Sequence, residues 1–340
     1  MNPKVAAILS AVLAAVFYAV NMPASKRLLE VVPPTMMAAL LYLGAGIGIG
    51  LMYLAGRNKP DIAGQQKLTK ADLPYTVGMI VLDILAPVAL MLGLARTTSA
   101  NASLLNNFEI AATSIAALVL FREAVSGKLW LAIALVTLSS SILSFEDMSS
   151  LTFSRGSLLV LLAAVCWGLE NNCTRMIASK NTYEIVALKG ICSGLGSLVI
   201  ALSLGERLPA AEYIVPALAL GFVAYGLSIF FYIKAQNILG AARTSAYYAV
   251  APFVGAFLSF LFLREALTVQ YALALLVMAC GSLLAVTDTL EESHTHLHTH
   301  LITHTHDGTT HSHIVEHSHR HSHLLHSDQH THSHRAIHAH

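Results

Sequence analysis

The sequence has few charged residues and no histidine before position 294. Only 11% of its 340 residues are charged, 55% are hydrophobic, and the mean hydropathy is +0.64. Apolar windows of about 20 residues recur from Val5 to Thr287, long enough to cross a hydrocarbon core of roughly 30 Å. These values predict an all-α polytopic membrane protein.

Other absences exclude whole classes of function. The chain has no G-x-x-x-x-G-K-S/T motif, so we do not expect direct coupling to ATP. No Ser-His or Cys-His constellation can form before residue 294, and we predict a protein that is not an enzyme and requires no cofactor. The four cysteines lie in apolar segments without a C-x-x-C pair, which argues against a disulfide framework. A net charge of +1 on such a chain gives no reason to expect a nucleic acid partner.

The apolar windows predict ten membrane-spanning helices. We place them near residues 4–21, 35–55, 74–94, 100–121, 128–145, 157–174, 184–204, 212–233, 242–263 and 267–287. The first could be taken for a signal peptide, but Asn21-Met22-Pro23 is a poor cleavage site, and we predict a true span.

The distribution of basic residues predicts the orientation. With a cytoplasmic N-terminus, the inner segments carry Lys4, Arg57, Lys59, Lys67, Lys70, Arg122, Lys128, Arg175, Lys180, Lys234 and Arg243. The outer segments then carry Lys26, Arg27, Arg96, Arg155, Arg207 and Arg264. The inner excess follows the positive-inside rule, so we expect a plasma (inner) membrane protein with both termini in the cytoplasm.

Two pairs of matching segments indicate an internal duplication. Val16–Lys26 reads V-F-Y-A-V-N-M-P-A-S-K and Val165–Arg175 reads V-C-W-G-L-E-N-N-C-T-R, which aligns Asn21 with Glu170. Later in each half, F-R-E-A at residues 121–124 matches L-R-E-A at residues 263–266. Each half holds five spans, an odd number, so the halves must be inverted in the membrane. In proteins built from inverted repeats, a binding site commonly lies between the two halves. We predict a first repeat at 1–145, a second at 146–290, and a tail at 291–340.

The paired motifs ending in Glu123 and Glu265, together with the aromatic-polar ends of helices one and six, resemble the drug/metabolite transporter superfamily. The specific resemblance is to its EamA-type branch, over residues 4–287. N-N-F-E at residues 106–109, E-N-N-C-T-R and the histidine-rich tail are similar to one subset of that branch. The resemblance implies secondary transport, often export, of a small metabolite such as an amino acid or amine, through a cavity lined by both repeats. A divalent-metal exporter and a non-transporting membrane metal sensor are the alternatives, and a homodimer is compatible with the sequence.

Two acidic residues fall inside predicted spans. A charge at the centre of a span costs roughly 2.5–3.5 kcal/mol, so Asp83 and Glu109, each about nine residues into its helix, are candidates for function. We predict that Glu109 is a proton-coupling or amine-binding site, that Asp83 tunes it, and that Asn106 or Asn107 orients the solute. Satisfied interhelical hydrogen bonds are the alternative.

Glu170 and Lys189 should lie at matching depths, each roughly 8 Å from the same membrane surface. We predict a buried ion pair, with Lys189 snorkelling to the interface as the alternative. The further candidates for the site are Asn21, Asn171, Tyr225, Tyr247 and Tyr248, although the tyrosines could instead belong to interfacial belts.

The tail repeats the pattern H-x-H and lacks apolar periodicity, so we predict a disordered segment. Neutral imidazoles are ligands for Zn, Ni and Co. The predicted metal ligands are His294, His296, His298, His300, His304, His306, His311, His313, His317, His319, His321 and His323. A solvated tail without a metal role in the cell is the alternative.

Deleting residues 294–340 should remove several bound Zn or Ni equivalents, because every histidine is lost, while the membrane helices still fold. Isothermal titration of full-length and truncated protein measures the loss. An equal metal stoichiometry in the two proteins would contradict metal binding by the tail.

Overall fold

A computed structural model describes residues 3–56, 64–122, 125–147, 152–239, 244, 247–289, 291–306 and 309–324. The chain forms two compact units, Met1–Val286 and Thr287–His340. The first unit is helical, as the composition predicts, because a backbone inside lipid must satisfy its own hydrogen bonds.

Ten apolar helices make up the described part of the membrane unit. They are α1 (Pro3–Leu28), α2 (Pro34–Gly56), α3 (Lys70–Leu94), α4 (Ser99–Leu120), α5 (Gly127–Ser144), α6 (Arg155–Ile177), α7 (Thr182–Ser203), α8 (Ala211–Ala235), α9 (Ala251–Leu263) and α10 (Val269–Asp288). Among these described segments, nine are long and apolar enough to span a membrane, and α9 is shorter. The ten predicted spans are confirmed as apolar helices.

Three of these helices are interrupted. In α1, regular geometry breaks between Pro3–Ala19 and Asn21–Leu28, where Pro23 has no N–H to offer the carbonyl of Ala19. The turn at Asn106 and Asn107 divides α4, with Ser99–Leu105 before it and Phe108 as the first helical residue after it. In α8 a π-helical segment, Phe222–Leu227, follows the regular helix Ala211–Gly221. Such irregular turns often accompany functional sites.

Helices of the two repeats run in opposite directions where they meet. The hydroxyl of Ser259 on α9 donates to the hydroxyl of Ser99 on α4 at 2.8 Å. One turn earlier on α9, Gly255 faces Ser103, one turn later on α4. This register requires α4 and α9 to be antiparallel, as corresponding helices of inverted repeats must be.

The ends of α4 and α9 have the same backbone geometry. Arg122 and Arg264, aligned by the duplication, both end their helices in the left-handed region, with φ of 55° and 53°. The carboxylate of Glu265 then accepts hydrogen bonds from the N–H groups of Ser99 and Ala100 at 2.7 and 2.8 Å, which caps the start of α4. Glu123, its partner in the first repeat, lies outside the described residues. The shared geometry of the arginines confirms the duplication.

A seam of glycines brings α2 and α7 into backbone contact. A Cβ built on Gly46 would collide with the backbone nitrogen of Ile191, and one on Gly190 would collide with the backbone nitrogen of Gly46. Small residues permit this close approach, and with it the dispersion contacts that hold helices together in lipid. The seam fixes the position of α7 at the level of Lys189.

Strands are few in the described residues. Phe145–Asp147 (β1) and Thr152–Phe153 (β2) pair between α5 and α6. In the second unit, Glu291–His306 (β3) and Thr309–Leu324 (β4) form an antiparallel hairpin. This hairpin differs from our prediction of a disordered tail. The reason lies in the pattern, because H-x-H alternates with the period of two that a strand requires.

The seam generates a stability prediction with its own control. Gly46→Ala should lower the free energy of unfolding by about 1–3 kcal/mol, because the added methyl group overpacks the contact with α7. Gly50→Ala, in the same helix, should be neutral or stabilising by about 0.5–1 kcal/mol, since no atom lies within 4 Å of its built Cβ. Unfolding in detergent measures both, and equal effects would contradict the role of the seam.

Candidate functional site

Three charged side chains from three helices meet in the interior. Lys189 on α7 places its Nζ 2.9 Å from Oδ2 of Asp83 on α3 and 3.0 Å from Oε1 of Glu170 on α6. Their exposed fractions are 7%, 0% and 2%. The predicted ion pair between Glu170 and Lys189 is therefore present, and Asp83 is a third member of it.

Neutral side chains also donate hydrogen bonds to the carboxylates of this cluster. The hydroxyl of Tyr42 donates to its Oδ1 at 2.9 Å, and Nε1 of Trp167 donates to the same oxygen at 3.2 Å. Thr174, one turn after Glu170, donates its hydroxyl to Oε1 of that residue. Buried carboxylates need such partners because burial removes their hydrogen bonds to bulk water.

The cluster contains one carboxylate more than its cations can balance. If Asp83, Glu170 and Lys189 are all ionised, their sum is −1, and a proton or another cation is needed for neutrality. Asp83 belongs to the first repeat, and its basic partner, Lys189, is supplied by the second.

The symmetry-related junction between α1 and α8 is built without charge. Asn21 matches Glu170, and Ser25 donates to Oδ1 of Asn21 at 2.9 Å, just as Thr174 donates to Glu170. The side-chain amide of Asn21 also donates to the hydroxyl of Tyr225 at 2.9 Å. Tyr225 stands 142 residues after Asp83, the offset of the duplication late in each repeat. Of these two related junctions between the repeats, one is thus made through charges and the other through neutral hydrogen bonds.

Glu109 lies apart from this cluster. It is partly buried, and its Oε1 accepts a hydrogen bond of 2.6 Å from the side-chain amide of Asn171, the residue that follows Glu170 on α6. Asn171 also donates to the hydroxyl of Thr113 at 3.3 Å. We predicted that Asp83 tunes Glu109. Glu170 and Asn171, consecutive residues of α6, connect Glu109 to the charged cluster that contains Asp83.

A row of tyrosine rings runs between the helices. Ring centroids are separated by 5.1 Å from Tyr42 to Tyr225, by 5.8 Å from Tyr225 to Tyr18, and by 5.9 Å from Tyr18 to Tyr248. Of these rings, Tyr225 and Tyr248 are the two that the sequence analysis names as site candidates. The polar hydroxyls of Tyr18 and Tyr42 within apolar helices are the signal that could have identified the others.

Tyr247 does not belong to this row. Its exposed fraction is 36%, whereas its neighbour Tyr248 packs against Tyr18 and Tyr232. Consecutive residues of a helix point about 100° apart, so only one of the two can face the interior. Of these two tyrosines, Tyr248 therefore belongs to the candidate site and Tyr247 does not.

The turn in α4 leaves buried polar atoms without partners. Asn106 donates from Nδ2 to the hydroxyl of Tyr18 at 3.1 Å, but its Oδ1 has no hydrogen-bond partner among the described residues. The same holds for Nδ2 of Asn107 and the hydroxyl of Ser103. A cavity of about 10 Å³, roughly the space of one water, is lined by Asn106, Ser103 and Tyr18. These free groups could bind a polar molecule once the helices separate.

The metal prediction concerns residues whose side chains the structure does not describe. The register of β3 and β4 places His294 opposite His321 and His296 opposite His319 along the backbone. Within the described residues, no three His, Cys, Asp or Glu side chains are grouped so as to hold a metal ion. The histidine ligands remain a prediction.

The charge count generates a prediction on stability. Lys189→Met leaves two buried carboxylates without a cation and should lower the free energy of unfolding by on the order of 3–5 kcal/mol. Glu170→Gln leaves a balanced pair, Asp83 with Lys189, and should cost on the order of 1 kcal/mol. Loss of Glu170 does not leave Lys189 without a counter-ion, because Asp83 remains 2.9 Å away. Detergent unfolding at neutral pH measures both variants.

Lys180→Met is the matched control for this comparison. The Nζ of Lys180 lies 3.7 Å from Asp72, and both side chains are partly exposed, so its loss should cost less than 1 kcal/mol. Equal destabilisation by Lys189→Met and Glu170→Gln would contradict the three-membered cluster.

Comparison with known proteins agrees with this architecture. The model of the EamA-like transporter family matches residues 5–145 and again residues 154–287. A relative from Methanothermobacter thermautotrophicus, named as an uncharacterized transporter, is 25% identical over 290 residues, covering 80% of this chain and 84% of the relative. A solved structure named only as a crystal structure of protein is 18% identical, with a TM-score of 0.59, and covers 83% of this chain and 98% of that one. This last likeness concerns the fold alone.

The family model matches each inverted half in turn and together the matches span most of the chain. With helices that suit a membrane and a polar site enclosed between the repeats, the match establishes the class of protein. The chain belongs to the EamA-like transporter family and is a multi-pass membrane transporter, not an enzyme.

Proposed function

We propose that this transporter moves a small organic solute with a cationic amino group, and that Glu109 exchanges a proton in the same cycle. The observation that carries the proposal is the environment of Glu109. Its carboxyl group lies within a span, and its hydrogen-bond partner is the neutral amide of Asn171. A carboxyl group with a neutral partner can gain or lose a proton without leaving a cation unpaired.

The contrast with Asp83 supports this assignment. Asp83 is fully buried and its carboxylate is held by Lys189, so a proton can reach it only if this ion pair opens. Glu109 is only partly buried, and a proton can reach it with less rearrangement. Of the two acids in the middle of spans, Glu109 is therefore the better proton carrier.

The tyrosine row supports a cationic solute. Aromatic faces attract ammonium groups through the ring quadrupole, by about 2 kcal/mol or more when the cation is desolvated. The rings of Tyr42, Tyr225 and Tyr18 lie between the acidic cluster and Asn106. Asn106 and Asn107 offer an acceptor and a donor for the remaining polar groups of an amine or amino acid.

Proton exchange would favour export. A proton entering the cytoplasm down its gradient can drive a solute cation outward, if the N-terminus is cytoplasmic and the membrane is the plasma (inner) membrane, as the basic residues predict. The tail would then face the cytoplasm, where its histidines would bind Zn, Ni or Co. Divalent-metal export is the weaker candidate, since the described spans offer no group of three suitable ligands.

Glu109→Gln tests the proton role. The variant should lose solute transport driven by a pH gradient, because glutamine cannot bind and release a proton, yet keep solute-for-solute exchange. The solute is first chosen by a thermal-shift screen of amines and amino acids on purified protein, and flux is then measured in proteoliposomes.

Glu212→Gln is the matched control, because it makes the same chemical change at an exposed position near the start of α8. It should leave both modes of transport unchanged. Unaltered pH-driven transport in Glu109→Gln would show that Glu109 is a structural residue.

A further inference from the structure

We propose that Asp83 and Glu170 form a binding site for a primary ammonium group, and that Lys189 occupies this site when no solute is bound. The inference rests on the proposed function for the identity of the solute. It adds the position at which the solute's ammonium group binds, and it identifies Lys189 as the side chain that competes for that position.

The geometry is that of an ammonium site. A primary ammonium has three N–H donors, and Lys189 directs this group to two carboxylates from different helices, at 2.9 and 3.0 Å. The ammonium of an amine or amino acid presents the same group without the tether. It can therefore replace Lys189 with the same hydrogen bonds and charge.

The symmetry-related junction between α1 and α8 shows that packing alone does not need these charges. There the helices are joined by the hydrogen bond from Asn21 to Tyr225, at 2.9 Å between neutral groups. Buried charges are costly, and neutral replacements are often equally stable. Because one of the two related junctions is neutral, the charges of Asp83, Glu170 and Lys189 in the other serve something other than the fold.

The site adjoins both parts of the proposed transport path. Tyr42 donates to Asp83 and its ring lies 5.1 Å from that of Tyr225, so a cation passing along the tyrosine row reaches Asp83. On the other side, Glu170 precedes Asn171, which holds Glu109. A change of occupant between the two carboxylates can thus alter the partner of the proton-carrying group.

Occupation of the site by Lys189 has a consequence for the transport cycle. With Lys189 in place, the empty carrier has no pair of bare carboxylates and can return across the membrane without solute. Without Lys189, two buried carboxylates lack a counter-ion, so return should require a bound cation. Removal of Lys189 should therefore convert net transport into solute exchange.

The direct test is chemical rescue. Lys189→Ala opens space beside the carboxylates, and methylammonium chloride should raise its unfolding temperature in detergent by several degrees more than it does for the native protein. Tetramethylammonium chloride, which has no N–H donor, should not. Asp83→Asn/Lys189→Ala, which lacks half of the site, should lose most of the effect. Equal shifts with both salts, or none, would overturn the proposal.

A variant that fails to fold also decides the matter. If Lys189→Ala is recovered only when methylammonium is present during purification, the site is supported. If no salt recovers it, Glu170→Gln/Lys189→Ala, which buries a single carboxylate, takes its place in the same comparison. Absence of methylammonium-specific stabilisation in that variant would overturn the proposal.

These outcomes are separable from those for Glu109. Methylammonium stabilisation of Lys189→Ala does not depend on proton coupling, so it can be observed even if Glu109→Gln transports normally. In proteoliposomes, Lys189→Ala should retain solute exchange and lose at least about tenfold in net flux. Retained net flux would contradict the role of Lys189 in the return step, whereas loss of pH dependence in Glu109→Gln concerns the proposed function alone.

Discussion

The cost of placing charge in a low-dielectric interior governs the arrangement of this transporter. Asp83, Glu170 and Lys189 come from three helices, and the two carboxylates can remain charged in the bilayer only because Lys189 contacts both. The attraction of Lys189 to the two carboxylates brings α3, α6 and α7 together at one level. It also leaves one negative charge uncompensated, which makes the same contact both a structural junction and a place where a cation can bind.

The position of that junction depends on small residues. Gly46 and Gly190 allow α2 and α7 to touch through their backbones, so Lys189 extends from a fixed helix. A bulkier seam would move α7 outward and stretch its 2.9 Å contact with Asp83. The charged part of the site lies on the uninterrupted helices α3, α6 and α7. Its aromatic part borders the irregular backbone of α1, α4 and α8.

Sequence reasoning reached the pairing of Glu170 with Lys189 because depth along a helix can be counted from its ends. It placed Asp83 beside Glu109 for the same reason, yet the two acids have different partners. Depth gives the height of a side chain but not the direction in which it points around the helix axis. Tyr247 failed for this reason too, since its neighbour Tyr248 takes the inward direction.

The sequence by itself determined the number of apolar helices, their duplication and the inversion of the repeats, because hydropathy and an odd number of spans are properties of the chain alone. The tertiary structure decided which helices touch, and so which charges meet. Lys189 contacts Asp83, which lies 106 residues earlier in the chain, and the tyrosine row joins α1, α2 and α8 to Tyr248, which precedes α9. Such contacts depend on how helices rotate and pack against one another, and that packing is set by glycine seams and buried polar groups acting together.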